Sequence, residues 1–214
     1  MYNDVPFIGE MPSGVFVLKV VLLPTETMTL RVFEPRYHQL IRDCERNEGT
    51  FVIVDTTDEK ITVPVREREA LYGIRVRISS SGLIPTGDRI VEVTAEDKVA
   101  ISSWLPDDPY PVALIAPTPD LDHPDEVRLK DLTTYVNHLL NLTIEMGGNV
   151  ELFSPNELSE DPGKRLWQLC ARTPLTIDQR REMLNQSFAS NRLEMLGEIV
   201  AENIAFYEKM LGLR

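Results

Sequence analysis

The chain has 214 residues, of which 43% are apolar and 26% are charged, and its formal net charge is −12. This composition is typical of a soluble globular protein that is large enough to bury a core without disulfides or metal. Residues 1–117 and residues 118–214 each carry a net charge of −6, so neither part has the basic surface of a phosphate-backbone binder, which argues against nucleic acid and anionic membranes as partners.

Short apolar segments separated by turn residues predict a β-rich part that extends to residue 117. In one of them, Ile74 and Val76 alternate with Arg75 and Arg77, which is the period of a strand with one buried face. Seven such strands with one helix among them favour a small barrel or a strongly curved sheet. The predicted strands cover residues 14–20, 28–33, 51–54, 70–79, 89–93, 98–104 and 110–116.

The helix in this part directly follows the second strand. Pro35 suits its first position, because the missing N–H of proline costs nothing there. An apolar stripe at helical spacing predicts that the helix packs on the sheet, and it consists of Tyr37, Leu40, Ile41 and Cys44. Two interpretations of the strand-to-helix corner stay open. The corner either locks the strand to the helix, or it contacts a ligand directly through Phe33, Glu34 and Tyr37.

The pattern changes near residue 118 from alternation to helical spacing. A linker at residues 116–126 precedes four amphipathic helices, and Thr176 with Gln179 forms a capping box at the start of the third. Four such helices in sequence favour a helical bundle. The sequence therefore predicts two domains, residues 1–117 and 118–214. The helices are predicted to begin near Pro124, Pro162, Thr176 and Ser187.

No arrangement of residues in the sequence predicts catalysis. Gly163 and Lys164 lack the second glycine and the Ser/Thr of a phosphate-binding loop, and no serine lies in a nucleophile elbow. His38, His123 and His138 lack metal-ligand spacing. We therefore expect no catalytic residue, no metal and no cofactor. Two cysteines among apolar neighbours, Cys44 and Cys170, are expected to be buried free thiols.

The N-terminal residues have neither the basic start nor the apolar core of a signal peptide. No run of residues approaches the roughly 20 apolar residues that a membrane helix needs. We therefore expect a cytoplasmic protein with no membrane partner. The pattern assigns no oligomeric state.

A binding module instead needs a concave, partly apolar surface with exposed rings. Such a groove accepts an extended peptide by pairing it with a free strand edge. Rings beside the strand-to-helix corner and near the turn at residues 106–109 are the candidates for this role. The candidate peptide-binding residues are Phe33, Glu34, Tyr37, Tyr72, Trp104 and Tyr110.

Three stretches, in the same order, resemble the N-terminal domain of Lon proteases. Residues 15–44 resemble its opening, residues 87–115 its later strands and residues 173–200 its helical tail. The residues of the opening that match the family's pattern are Leu18, Pro24 and Phe33–Tyr37. Three departures are expected to alter turn geometry: where the family commonly has proline, glycine and glycine, this chain has Val17, Thr25 and Ala95.

The resemblance implies an α+β protein, in which a PUA-like β pseudo-barrel with one packed helix is followed by a C-terminal helical bundle. It also implies a role in recognising protein substrates, which is what this domain contributes to Lon proteases. The ATPase and peptidase modules of those enzymes have no counterpart in the sequence. We therefore expect a standalone, non-catalytic module that binds unfolded or partner polypeptide.

Two alternatives stay open beside polypeptide binding. The first is an RNA-binding module that uses the PUA-like barrel. Its support is a group of arginines that two adjacent strands would bring together on one face, although glutamates between them favour a salt-bridged surface, and the net charge argues against it. The second is a hydrolase without a recognisable motif. The arginines are Arg66, Arg68, Arg75 and Arg77.

Overall fold

The computed structural model describes residues 9–55 and 72–213. Within these ranges the protein is a mixed α+β structure with one six-stranded sheet and five α-helices. It forms two compact units, of which the first ends at Pro119 and the second begins at Asp120. The sheet and one helix belong to the first unit, and four helices belong to the second. None of the helices in these ranges has the length and apolar character needed to cross a membrane.

Five of the six strands pair in a closed ring. The strands are β1 (Met11–Leu18), β2 (Thr27–Val32), β3 (Thr50–Asp55), β4 (Tyr72–Leu83), β5 (Arg89–Leu105) and β6 (Val112–Pro117). Their order is β2-β5-β4-β3-β1-β6, and β6 also pairs with β5, which closes the ring. All pairs are antiparallel except β1 with β3. Strand β2 lies outside the ring and, among the described strands, pairs with β5 alone.

The long strand β5 covers a stretch for which the sequence predicts two strands separated by a turn at Glu96 and Asp97. That prediction is wrong, because the pairing of β5 with β4 continues through this point with a shift in register. Glu96 is the extra residue of a β-bulge. Its carboxylate pairs with Arg77 on β4, and Asp97 pairs with Arg75 on the same strand. Two adjacent acidic residues, which are typical of a turn, are here accommodated by cross-strand ion pairs.

A tight turn leads into β2. The N–H of Glu26 donates to the carbonyl of Leu23 at 3.3 Å, and Thr25 between them has a φ of 76°. Proline before a residue with positive φ is the signature of a type II turn, and Pro24 precedes Thr25. Thr25 therefore adopts the left-handed conformation that glycine prefers, at a position where the Lon-like pattern has glycine.

Helix α1 (Pro35–Arg46) packs on the sheet through the stripe that the sequence predicts, and this prediction is confirmed. The ring of Tyr37 stacks on Phe16 of β1 with 4.0 Å between the ring centroids. The hydroxyl of Tyr37 accepts a hydrogen bond of 3.3 Å from the N–H of Val17. Stacking and hydrogen bond together fix the first turn of α1 to β1. The buried residues of α1 are Tyr37, Leu40, Ile41 and Cys44.

The second unit contains α2 (Glu126–Glu145), α3 (Pro162–Arg172), α4 (Ile177–Asn185) and α5 (Ala189–Met210). Helix α2 packs against α3 and α5, and α3 packs against α5. Helix α2 begins two residues after Pro124, because the side chain of Asp125 accepts the N–H of Arg128 and so caps the helix. Thr176 and Gln179 form the predicted capping box at the start of α4.

Candidate functional site

The six predicted site residues lie in different surroundings, and the structure does not gather them into one cluster. Tyr37 is 3% exposed and holds α1 on β1, which fits the corner interpretation rather than direct ligand contact. Phe33 and Glu34 lie between β2 and α1. The carboxylate of Glu34 pairs with Arg36 at 2.8 Å. The other three residues are Tyr72, Trp104 and Tyr110.

Phe33 is the most exposed of the predicted rings, with 66% of its surface accessible. It directly follows β2, whose side chains alternate between exposed and more buried positions. Among the described residues β2 has a strand partner on one side only, so within this part of the chain the backbone N–H and C=O groups of its other side form an open edge. Such an edge is a template for pairing with a further extended chain. We call β2 together with Phe33 the edge site.

Charged side chains accompany the edge site. Arg31 forms a 2.6 Å ion pair with Asp88, and its side chain is 66% exposed. Thr27 and Thr29 are exposed on the same strand, whereas Leu30 and Val32 are buried. Exposed threonines on a half-buried strand satisfy the alternation of a sheet with one covered face. The sequence predicts a strand here, at residues 28–33, but gives no sign that β2 lies outside the ring, because strand order depends on contacts distant in sequence.

Tyr110 contributes to a second feature, a groove of about 560 Å³ between β1, α1 and β6. Its hydroxyl donates a hydrogen bond of 3.2 Å to Asp43 of α1. Burial raises the pKa of Tyr110 to about 12, and the charge of Asp43 adds to this effect, so the phenol stays protonated at neutral pH. Gly14 lies close to this ring, since a Cβ added to it would meet Tyr110 at 3.2 Å and Leu40 at 2.2 Å. Sequence reasoning selected Tyr110 but missed Asp43 and Gly14, for which the pattern carries no signal.

Tyr72 and Trp104 contribute to packing. Trp104 is partly buried and lies against an apolar cluster on the sheet. The Nζ atom of Lys98 lies 5.0 Å from the centroid of the Tyr72 ring, and Lys98 itself is 6% exposed. An ammonium over a ring at this distance is a cation–π contact. Neither ring is among the exposed large apolar side chains. The apolar cluster consists of Val15, Val52, Val54, Val99, Ala113 and Ile115.

The arginine group predicted as a face for RNA is described only in part. Arg66 and Arg68 lie outside the described residues. Arg77 donates to Glu96 at 2.5 Å and to the carbonyl of Glu48 at 2.9 Å, and Arg75 pairs with Asp97. The two described arginines therefore form ion pairs, which agrees with the interpretation of this group as a salt-bridged surface.

Groups that bear chemistry are sparse in the described ranges. No set of three or more His, Cys, Asp or Glu side chains there is placed to hold a metal ion. Cys44 and Cys170 are free and buried. Burial raises the pKa of each thiol to about 12, so both are protonated at neutral pH and are poor nucleophiles.

Comparisons with a protein-family model and with solved structures find the same kind of domain over most of the chain. The family model of the ATP-dependent protease La (LON) substrate-binding domain matches residues 14–202. A Lon N-terminal domain protein from Xanthomonas campestris is 27% identical, with a TM-score of 0.63 over 87% of this chain and 96% of that one. The N-terminal domain of a Mycobacterium avium complex Lon protease shares the fold at 18% identity, with a TM-score of 0.62 over 89% and 98% of the two chains. No curated protein matches.

Proposed function

The chain belongs to the family of ATP-dependent protease La (LON) substrate-binding domains, and from this premise we propose that it binds polypeptide without catalysing a reaction on it. The bound segment is extended and adds to the open edge of β2. The observation that carries this proposal is the position of β2, which pairs with β5 alone among the described strands. Backbone hydrogen bonds along such an edge provide affinity for any extended sequence.

Phe33 supplies the apolar part of the proposed contact. Its ring is 66% exposed at the end of β2, where it meets one side chain of a strand added to the edge. A ring that is buried on binding contributes more than most other side chains, because of its large apolar area. The preferred ligand is therefore an extended segment with an apolar residue opposite Phe33, as unfolded proteins expose.

The proposal also includes the PUA-like barrel and the helical bundle that the resemblance to Lon N-terminal domains implies. The closed ring of five strands supports a PUA-like barrel, and the packing of α2 against α3 and α5 supports a helical bundle. The paired arginines Arg75 and Arg77 favour polypeptide over RNA as the ligand. The cytoplasmic location and the standalone role stay predictions from the sequence.

The test is the binding of a reduced, carboxymethylated model protein, which stays unfolded, measured by fluorescence anisotropy. We expect the wild type to bind it and the Phe33→Ala variant to bind it at least about tenfold more weakly, a loss of about 1.4 kcal/mol. Leu121→Ala is the matched control, because Leu121 is 68% exposed and belongs to the second unit rather than to the edge site. Absence of wild-type binding refutes the function, whereas equal binding by Phe33→Ala refutes only the edge site.

A further inference from the structure

A groove of about 680 Å³ lies between α2 and α5 in the second unit. Its floor consists of the buried side chains of Leu132, Leu193, Val200 and Ile204. Gly197, Ala201 and Ala205, which follow each other at four-residue spacing along α5, line its α5 side. Tyr135 of α2 lines it and is 57% exposed. Clefts of this size that are mainly apolar are typical binding sites. No residue of the edge site lines the groove.

Gly197 keeps the groove open. It lies in the interior of α5, where glycine destabilises a helix relative to alanine. A Cβ added to Gly197 would have no atom of the described chain within 4 Å, so no intrachain contact requires glycine at this position. The missing side chain instead leaves room for the backbone of another polypeptide to approach α5 closely.

The border of the groove on α5 is acidic. Glu194, Glu198 and Glu202 are exposed, and each precedes one of the three small lining residues of α5 by three positions, which makes the two rows neighbours on the helix surface. Residues 120–214 as a whole hold 16 acidic and 10 basic residues. The groove also contains Arg128 near the start of α2, and His138, which pairs with Glu208 at 3.4 Å. Negative charge therefore dominates one complete side of the groove.

We propose that this groove binds a basic amphipathic helix of a partner polypeptide. The apolar face of the helix packs on the floor, and its Lys or Arg side chains lie against the glutamate row. Helices that dock in this way place apolar residues at i, i+3, i+4 and i+7 in the groove. A second copy of this chain is a poorer occupant, because it brings another net negative charge to an acidic border. This site is separate from the edge site and does not depend on it.

The probe is a synthetic peptide of about 18 residues, long enough for five helical turns, with Leu and Ala at the apolar positions and Lys elsewhere. Binding is measured by isothermal titration calorimetry and located by NMR shifts of backbone amides. We expect binding with shifts centred on Gly197 and Ala201. A peptide with Glu in place of every Lys is expected to bind at least about tenfold more weakly.

Two matched pairs of variants separate binding in the groove from unspecific attraction. Gly197→Leu places a large side chain in the groove and is expected to weaken binding at least about tenfold, whereas Asn191→Leu, an exposed position of α5 outside the groove, is expected to leave it unchanged. Reversal of both Glu198 and Glu202 to Lys is expected to weaken peptide binding more than the same reversal of Glu151 and Glu160, which are exposed elsewhere. Thermal unfolding verifies that each variant is folded.

Several results overturn the proposal. They are the absence of binding by the wild type, equal binding of the acidic peptide, equal loss in both double reversals, or shifts that lie outside α2 and α5. Sedimentation of the wild type gives a further test. If the chain dimerises and Gly197→Leu abolishes the dimer, a second copy is the occupant and the proposed partner is wrong. If these results refute helix binding in the groove, the proposed binding at the edge site is unaffected, because Phe33→Ala tests that site alone.

Discussion

Arg192 and Asp120 are 72 residues apart in sequence and form a bidentate ion pair, in which both hydrogen bonds measure 2.7 Å. The side chain of Arg192 is fully buried, and that of Asp120 is 18% exposed. The guanidinium also donates to the carbonyls of Met183 and Gln186 and lies 3.8 Å from the centroid of the Trp167 ring. One cation therefore joins the start of the second unit to α3, α4 and α5.

Replacing Asp120 by Ala is expected to destabilise the second unit by about 3–5 kcal/mol, because it leaves the buried guanidinium of Arg192 without its counter-charge. The measurement is the free energy of unfolding in urea. The control is Asp178→Ala, which removes an exposed pair with Arg181 in α4 and is expected to cost at most about 1 kcal/mol. Equal losses in the two variants would show that burial of Arg192 does not govern this contact.

Gly14→Ala is expected to destabilise the protein by about 1–3 kcal/mol through overpacking. The new methyl group would lie 2.2 Å from a methyl carbon of Leu40 and 3.2 Å from the ring of Tyr110, so the buried side chain of Leu40 has to move. Gly82→Ala is the matched control in β4, because its Cβ meets nothing within 4 Å. That variant is expected to be neutral or slightly stabilising. The unfolding midpoints of the two variants in urea decide between these outcomes.

Thr25→Gly is expected to stabilise the protein slightly. A β-branched residue in the left-handed region costs about 1–2 kcal/mol, and the greater entropy of glycine in the unfolded chain offsets part of this gain. The net effect is expected to be about 0.5–1 kcal/mol. Thr29→Gly on β2 is the control and is expected to destabilise, because Thr29 has an ordinary strand conformation. Loss of stability in Thr25→Gly would contradict the type II turn assigned to residues 23–26.

Local patterns predict the local parts of this fold. The buried stripe of α1 and the capping box of α4 follow from residues within two helical turns, and both are confirmed. The bulge at Glu96 looked like a turn, because its arginine partners come from another strand. The ion pair between Arg192 and Asp120 and the position of β2 at the sheet edge also depend on distant segments, so the local pattern does not predict them. Contacts between distant segments leave no period in the sequence.

The candidate site, too, is predicted from the sequence only where local patterns determine it. Phe33 is a candidate because its ring lies at the strand-to-helix corner, and it is exposed. Tyr37 was selected from the same motif, but its place in the apolar stripe of α1 puts it in the core. The groove between α2 and α5 was not predicted. Its only local signal is the four-residue spacing of Gly197, Ala201 and Ala205, which also occurs in ordinary helix packing.

The two thiols are expected to be inert in the folded protein and reactive after unfolding. Burial raises the pKa of Cys44 and Cys170 from 9.0 to about 12, so the folded state holds both protons more tightly than the unfolded state does. The stability gained in this way is complete below pH 9.0 and is lost as the pH rises towards 12. At pH 8 we expect an aromatic disulfide reagent to label neither thiol of the native protein and both thiols in denaturant. Cys44→Ser and Cys170→Ser assign the signals, and rapid native labelling of either residue would contradict its burial.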